Sequence, residues 1–457
     1  MSDSPDGIYE KGIIDPGFPV KNSTQSFWLT EPCEISKLQS PWPNELIDVA
    51  VIGSGMTAAS LINTLYRYNK AADLKITVLE ARDLCSGATG RNGGHIKAMS
   101  PGSWFERKAQ FGVQEAVRIM EYEHSHLKEM MALIKEENID CDLDEVEGLD
   151  VYYDEKVFRH ACDAVDDMRH QAPSLGAIYN IYTDREELKA RNISDACFGA
   201  IGMPAASMWP YKMVTGLLER MVRRNGLSIQ TNTLVTAVYD DDGANYATIK
   251  TDRGEIRAKH VVHATNAWVS RLVPELRPFV SPVRANVQRQ VPQLSPSELS
   301  KRRFKKSWWS RYGEHDYEYM IQRPDGTYII GRAGTGRRAT ADDSTVDFLP
   351  HVHLRGVTPQ IFNFGSDKEN EVTHAWSGAV AFTVDGNPFI GRLPFAGRKH
   401  QWVCAAYSGI GMVRAFRSGQ LLALLLLGEE VPSAYPPSML LTDSRVKSWT
   451  GATPSKL

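Results

Sequence analysis

The stretch Ile47-Asp48-Val49-Ala50-Val51-Ile52-Gly53-Ser54-Gly55-Met56-Thr57-Ala58 decides the fold. Its first six residues are a short Val- and Ile-rich run that stops at glycine, the pattern of a buried strand. A helix is expected from Met56 to Tyr68, and Lys75 to Leu79 reads as a second strand. Strand, helix and strand within about 30 residues make a β-α-β unit with parallel strands. Gly53 permits the tight strand-to-helix turn, Gly55 lets the backbone approach a pyrophosphate, and Ala58 is small enough for helix–strand packing. Phosphates would then meet the N–H groups at the start of the helix, at Met56 and Thr57. Glu80, at the end of the second strand, can accept from ribose hydroxyls, and its charge disfavours a 2′-phosphate. Glycine pairs also occur in ordinary turns; the strand before this one and the helix after it favour the dinucleotide reading.

A second glycine-dense turn follows directly: Gly87-Ala88-Thr89-Gly90-Arg91-Asn92-Gly93-Gly94. A nicotinamide dinucleotide has no need of such a loop behind the acidic strand. A flavin does, because its ribityl chain and ring require close backbone approach. FAD is therefore the expected cofactor. Thr89, Arg91 and Asn92 are read as polar contacts near the pyrophosphate, with His95, Ile96 and Lys97 beside the flavin ring. A third turn, Gly409-Ile410-Gly411-Met412, joins the strand Gln401 to Ala406 to a helix expected from Met412 to Leu427. A helix N-terminus aimed at the flavin would stabilise negative charge there, and Thr383 to Pro388 would close the same wall.

Between these turns the chain reads as a long helical region from Ser103 to Glu137, a short strand around Leu149 to Tyr153, and helices from Val157 to Met168 and Tyr211 to Arg224. A β-meander runs from Ser228 to Ala258, with Asp241-Asp242-Gly243 as one of its turns. Val280 to Glu371 holds strands, long loops and many aromatic residues. Residues 1–44 are expected to form an extended surface arm with Phe27, Trp28 and Trp42 as anchors. The FAD-binding domain is expected from residues 45–105, 205–275 and 372–430, the substrate domain from 106–204 and 276–371, and a tail from 431–457.

The chain has 457 residues and a formal charge of -3, with 52 basic against 55 acidic side chains, which gives no electrostatic footprint for nucleic acid. Its longest apolar run, Leu421 to Leu427, is far short of the roughly 20 residues a membrane span needs. Six cysteines lie far apart without a Cys-x-x-Cys pair, so reduced thiols are expected and no metal site. No signal peptide is expected at Met1-Ser2-Asp3-Ser4-Pro5. The terminal Ser455-Lys456-Leu457 reads as a peroxisomal address for an import receptor, and with it a eukaryotic source is expected.

The strings VAVIGSGMTAA, VLEAR, SGATGRNGGH, VVHATNAW, TVDGNPFIGRLP and AAYSGIGM resemble the D-amino-acid-oxidase-like superfamily of FAD-dependent oxidoreductases. Within it the chain looks most like the gamma-glutamylputrescine oxidoreductase branch, and monomeric sarcosine oxidase is a more distant relative. The resemblance covers Ile47 to Gly428 and implies an α/β fold, a Rossmann-type FAD-binding domain with a second, mainly β substrate domain. It adds Ala81, Arg82, Val235, Thr265, Asn266 and Trp268 to the expected cofactor contacts. It also implies oxidation of an amine or amino acid at the C–H bond next to nitrogen, with dioxygen as terminal acceptor. Relatives that hold the flavin covalently carry a cysteine just before a motif like Thr383-Val384-Asp385; Ser377 to Phe382 has none, so FAD is expected to be non-covalent. Hydride transfer from a neutral amine needs no obligatory base. Lys97 is the first candidate for a cation that assists reoxidation, with Arg332 and His95 behind it, and Tyr317 and Tyr319 are candidates for the substrate face. A dehydrogenase feeding a quinone or carrier protein, and a tailoring oxidase of secondary metabolism, use the same chemistry. A non-catalytic binding protein would be expected to carry damaged glycine turns, and these are intact.

Overall fold

The run Ile47–Ile52 becomes a central strand because both edges find parallel partners, Ile76–Leu79 on one side and Gly254–His263 on the other. This computed structural model describes residues 13–68, 73–240, 243–301, 303–313, 316–333, 339–361 and 370–450. The first sheet runs Phe389–Arg392, Gln401–Ala405, Gly254–His263, Ile47–Ile52, Ile76–Leu79, Ser228–Gln230. The ribbon Val235–Asp240 and Ala247–Thr251 hangs antiparallel from Gly254–His263. Ser228–Gln230, expected in that meander, instead lies parallel to Ile76–Leu79 at the far edge. The helix Pro210–Asn225, ended by Gly226 at φ +67, carries the chain there as a crossover. Asp241 and Asp242 of the expected turn lie outside the described residues.

The first helix, Met56–Arg67, packs against the last long one, Ala415–Leu427. At Gly419 an added Cβ would stand 2.7 Å from the Thr57 carbonyl oxygen, and Ser60 Oγ donates to the Phe416 carbonyl at 2.5 Å. That close approach brings the first and third glycine turns together. The apolar run at Leu421 lies in this helix, and among the described residues no helix is long and apolar enough to cross a membrane.

Among the described residues the second sheet has nine strands. Its path runs Glu371–Thr383, Val280–Val291, Tyr328–Ala333, Tyr317–Gln322, Lys306–Arg311, Asp144–Tyr152, Gly199–Ser207, His95–Ile96, with Asn180–Tyr182 paired to Gly199–Ser207. Glu371–Thr383 lies on the other side of the expected boundary at 372, since it hydrogen-bonds to Val280–Val291 along its whole length. The expected short strand near Leu149 spans nine residues, Asp144–Tyr152. The helical region from Ser103 breaks at Gly112, whose φ of +80 ends Trp104–Phe111 before Val113–Glu136 begins.

The arm is not a surface ribbon. Trp28 is wholly buried: its Nε1 donates to the Asn92 carbonyl at 2.6 Å, and its own carbonyl accepts from Trp209 Nε1 at 2.8 Å. Burial of its large apolar ring with the N–H satisfied favours holding this part of the arm in the core. Phe27 is buried beside it, and Trp42 is half-buried against Arg253. All six cysteines are free, and Cys404 packs by Tyr407.

Candidate active site

One long cavity runs between the two sheets, with glycine turns on one wall and aromatic strands on the other. Gly53 has φ +103, and a Cβ there would meet the Ala264 carbonyl oxygen at 2.6 Å, so only glycine fits. Thr89 links two turns, its Oγ1 accepting from Met56 N at 3.0 Å. Glu80 stands at the cavity edge and accepts from Ser54 Oγ at 2.6 Å, Ser54 N at 3.2 Å and Arg82 N at 3.0 Å. Burial pushes its carboxyl upward, and those hydrogen bonds oppose the rise.

The expected cofactor contacts Gly53, Gly55, Met56, Thr57, Glu80, Ala81, Arg82, Gly87, Ala88, Thr89, Arg91, Asn92, Gly93, His95, Val235, Thr265, Asn266, Trp268, Gly409, Ile410, Gly411 and Met412 all line this cavity. Gly94 and Ile96 do not. Gly94 is enclosed by Met208, Trp28 and Ile321, and Ile96 is a core residue. Arg91 and Asn92 border the space but spend their polar groups inside the protein. Arg91 Nε donates to the Ser86 carbonyl at 2.8 Å and Nη1 to the Ser377 carbonyl at 2.9 Å, and burial lowers its pKa to about 10. Asn92 Nδ2 donates to the Thr89 carbonyl at 3.1 Å while Oδ1 accepts from Gly94 N at 2.7 Å. Both side chains therefore hold the loop at the cavity wall.

The third turn also differs from expectation. A 3-10 turn spans Gly411–Val413 and the helix begins at Ala415, both facing the cavity. Thr383 to Pro388 is not part of the wall: Asp385 pairs with Arg445 at 2.9 Å instead.

These residues fit FAD. Thr265 Oγ1, Asn266 Oδ1 and Trp268 Nε1 are buried polar atoms with no hydrogen-bond partner among the described residues, and all three residues line the cavity, as Glu80 and Val235 do. Buried polar groups without partners are rare, and a polar ligand is what satisfies a cluster of them.

The opposite wall follows from strand register. Trp309 lies beside Asp150 on one neighbouring strand and Tyr319 on the other, while Arg311 lies beside Tyr152 and Tyr317. Alternate residues share a face, so Asp150, Trp309, Arg311, Tyr317 and Tyr319 gather on one side of the sheet. Lys97 reaches them from beyond His95–Ile96. Its Nζ donates to Asp150 Oδ1 at 2.7 Å and sits 4.1 Å from the Trp309 ring centroid. Arg311 Nε stands 3.5 Å from Asp150 Oδ2, and Trp309 stacks on Tyr317 at 5.0 Å. Burial lowers the Lys97 ammonium to about 8, Arg311 adds to that, and Asp150 opposes it. Burial would raise the Asp150 carboxyl, but Lys97 and Arg311 outweigh it and hold it low.

His95 is neutral. Burial and then the Lys97 cation push it down to about 3. Trp309 Nε1 donates to its Nε2 at 3.1 Å, so Nδ1 carries the proton, and it has no partner among the described residues. That corrects the expectation of a cationic His95. Arg332 is corrected too: it lies outside the cavity lining, paired to Glu318 at 2.8 Å and Asp316 at 2.5 Å. Gly331, one residue before it, is paired to Tyr319 on the cavity face, so strand alternation turns Arg332 to the other side. Tyr317 and Tyr319 do line the cavity, and Tyr319 packs where a Cβ on Gly93 would be 2.4 Å from its ring.

Asp150 and Arg311 are absent from the sequence reading, and Trp309 enters it only as one of the many aromatic residues between Val280 and Glu371. The alternation Trp309-x-Arg311 and Tyr317-x-Tyr319 hints at a common face, but nothing local joins Asp150 to a lysine 53 residues away.

Residues 48–425 match the family described as FAD dependent oxidoreductase, DAO. OrdL, a probable oxidoreductase of Rhizobium meliloti, is 26% identical, over 84% of this chain and 83% of its own. Gamma-glutamylputrescine oxidoreductase of Escherichia coli is 24% identical over 84% of each chain. Glycine oxidase from Geobacillus kaustophilus shares the fold, with a TM-score of 0.69 at 20% identity over 88% of this chain and 99% of that one. Glycine turns shaped for a dinucleotide and a match spanning most of the sequence lead to one conclusion: the chain belongs to the FAD-dependent oxidoreductase family.

Proposed function

We propose that the protein oxidises a primary or secondary amine or an amino acid, with dioxygen as the terminal acceptor. The substrate's CH–NH unit loses two electrons and two protons to become C=N, and dioxygen takes them to become hydrogen peroxide. When bound, FAD supplies the acceptor for the hydride and passes the electrons to oxygen. Gamma-glutamylputrescine and glycine, for which two of the similar proteins are named, support the amine or amino-acid class. Non-covalent binding is part of the proposal.

The observation that carries it is the buried Lys97–Asp150–Arg311 cluster beside the cavity. Two cations against one carboxylate leave a net positive charge behind Trp309. That charge repels a protonated amine, which favours the neutral form able to donate a hydride. It also attracts negative charge developing on oxygen, most strongly where water is excluded. Lys97 lines the cavity and carries this effect, while Asp150 holds its Nζ in place under the Trp309 ring. His95 Nδ1–H is a donor available to the substrate, oriented by Trp309. Tyr317, Tyr319 and Trp309 exclude water and give the substrate an apolar face.

The experiment is to mix the yellow holoprotein with polyamines, N-methyl amino acids and D-amino acids, in air and without it. Substrate-dependent peroxide in air supports an oxidase. Anaerobic bleaching with no oxygen uptake would replace the proposal with a dehydrogenase. Peroxisomal residence is part of the same proposal. The terminal tripeptide lies outside the described residues. A fluorescent fusion that stays diffuse in a eukaryotic cell, with or without Ser455-Lys456-Leu457, would remove that part alone.

A further inference from the structure

We propose that Asp15 to Thr24 is part of the FAD site, a strap whose exposed anchor controls how readily the cofactor leaves. Gly17, Phe18 and Pro19 line the cavity, at the end held by Arg82 and Trp268. Contacts place them there: Arg82 Nη1 donates to the Val20 carbonyl at 3.4 Å, and its guanidinium lies 5.6 Å from the Trp268 ring. The strap therefore closes the Glu80 side of the cavity, away from Lys97 and the aromatic wall.

Two anchors hold it, and they differ in kind. Downstream, Arg91 donates to Ser23 Oγ at 2.6 Å and Thr24 Oγ1 at 3.1 Å, and Thr24 N donates to the Asp343 carbonyl at 2.8 Å. Arg91 and Asp343 are themselves buried, so this end is fixed. Upstream, Asp15 Oδ2 accepts from Arg271 Nη1 at 2.8 Å and Arg277 Nη2 at 2.9 Å, while its Oδ1 accepts from Gly17 N at 2.9 Å. Phe18 then packs on the Arg271 guanidinium at 4.3 Å. These three charged groups are 30 to 37% exposed. Exposed pairs are individually weak and are screened by salt. The upstream end can therefore open while the downstream end stays in place. Pro16 and Pro19 restrict the segment between, which lowers the entropy lost on closing.

FAD dissociation from the holoprotein tests this through the fluorescence of released flavin, independently of any substrate. Wild-type release should accelerate several-fold between about 0.05 and about 0.5 M NaCl, as the Asp15 pairs are screened. Asp15→Asn should release FAD roughly three- to tenfold faster at low salt, with a flattened salt dependence. Phe18→Ala should also release it faster, with the salt dependence kept. Wild-type rates and salt slopes in both variants would overturn the proposal. Should either variant misfold by circular dichroism, tryptic cleavage of wild-type holoprotein after Lys21, exposed within the strap, decides. Added free FAD should slow that cut several-fold; an unchanged rate would overturn the strap. Because the test reads FAD retention, failure of the amine-oxidase proposal would leave it intact.

Discussion

The two walls of the cavity are built from opposite materials. On the FAD side the shape is set by main chain, where Gly53 and Gly93 clear space, and side-chain polar atoms of Thr265, Asn266 and Trp268 stand without a partner among the described residues. On the aromatic side it is set by side chains, with Lys97, Asp150 and Arg311 forming a buried charge cluster under Trp309. A cofactor common to a whole family needs a backbone mould that tolerates no added atoms. A substrate needs groups whose charge and shape can vary on a fixed sheet.

That contrast breaks hardest at Gly53. Gly53→Val forces a β-branched residue into φ +103 with a Cβ 2.6 Å from the Ala264 oxygen. The expected result is protein without bound flavin, with affinity lowered roughly a hundredfold or more, read as the ratio of flavin to protein absorbance. Retained yellow colour would show that the mould is softer than the geometry implies.

Lys97→Met should leave flavin content unchanged and slow reoxidation by oxygen roughly ten- to a hundredfold in stopped flow. In the unsubstituted protein Lys97 is charged below a pKa of about 8 and loses that charge above it. The oxygen reaction should therefore fall as pH rises through about 8, and Lys97→Met should flatten that limb.

Asp150→Asn tests what holds the lysine. Two buried cations lose their shared partner, so stability should drop by about 3 kcal/mol in denaturant titration. Without the carboxylate Lys97 sheds its proton more easily, so the limb should move to lower pH, while the FAD content holds. A limb that stays put would separate Asp150 from the function of Lys97.

The smallest effect is expected at Arg332. It faces away from the cavity, so Arg332→Met should leave kcat/KM within about twofold, although Glu318 loses a partner and stability falls.

Sequence spacing made the FAD wall legible because its elements are local. Strand, glycine turn, helix and acidic strand end follow one another within Ile47 to Glu80, and the glycine-dense loop comes directly after. Each signal is a backbone requirement that only certain residues meet, so residue type alone reveals it. Gly94 and Ile96 mark where this logic overreached: a glycine-rich run continues past the cavity into the core.

What tertiary structure alone decided was the charge cluster, the neutral state of His95 and the route of the arm. Asp150 and Arg311 come from neighbouring strands and Lys97 from just past a third, and the register that aligns Asp150 with Trp309 is a long-range pairing. Strand alternation then separated Arg332 from Tyr319, two residue types that look equally plausible in a string. Backbone demands are written in single residues; which side chains share a buried face depends on how distant strands pair.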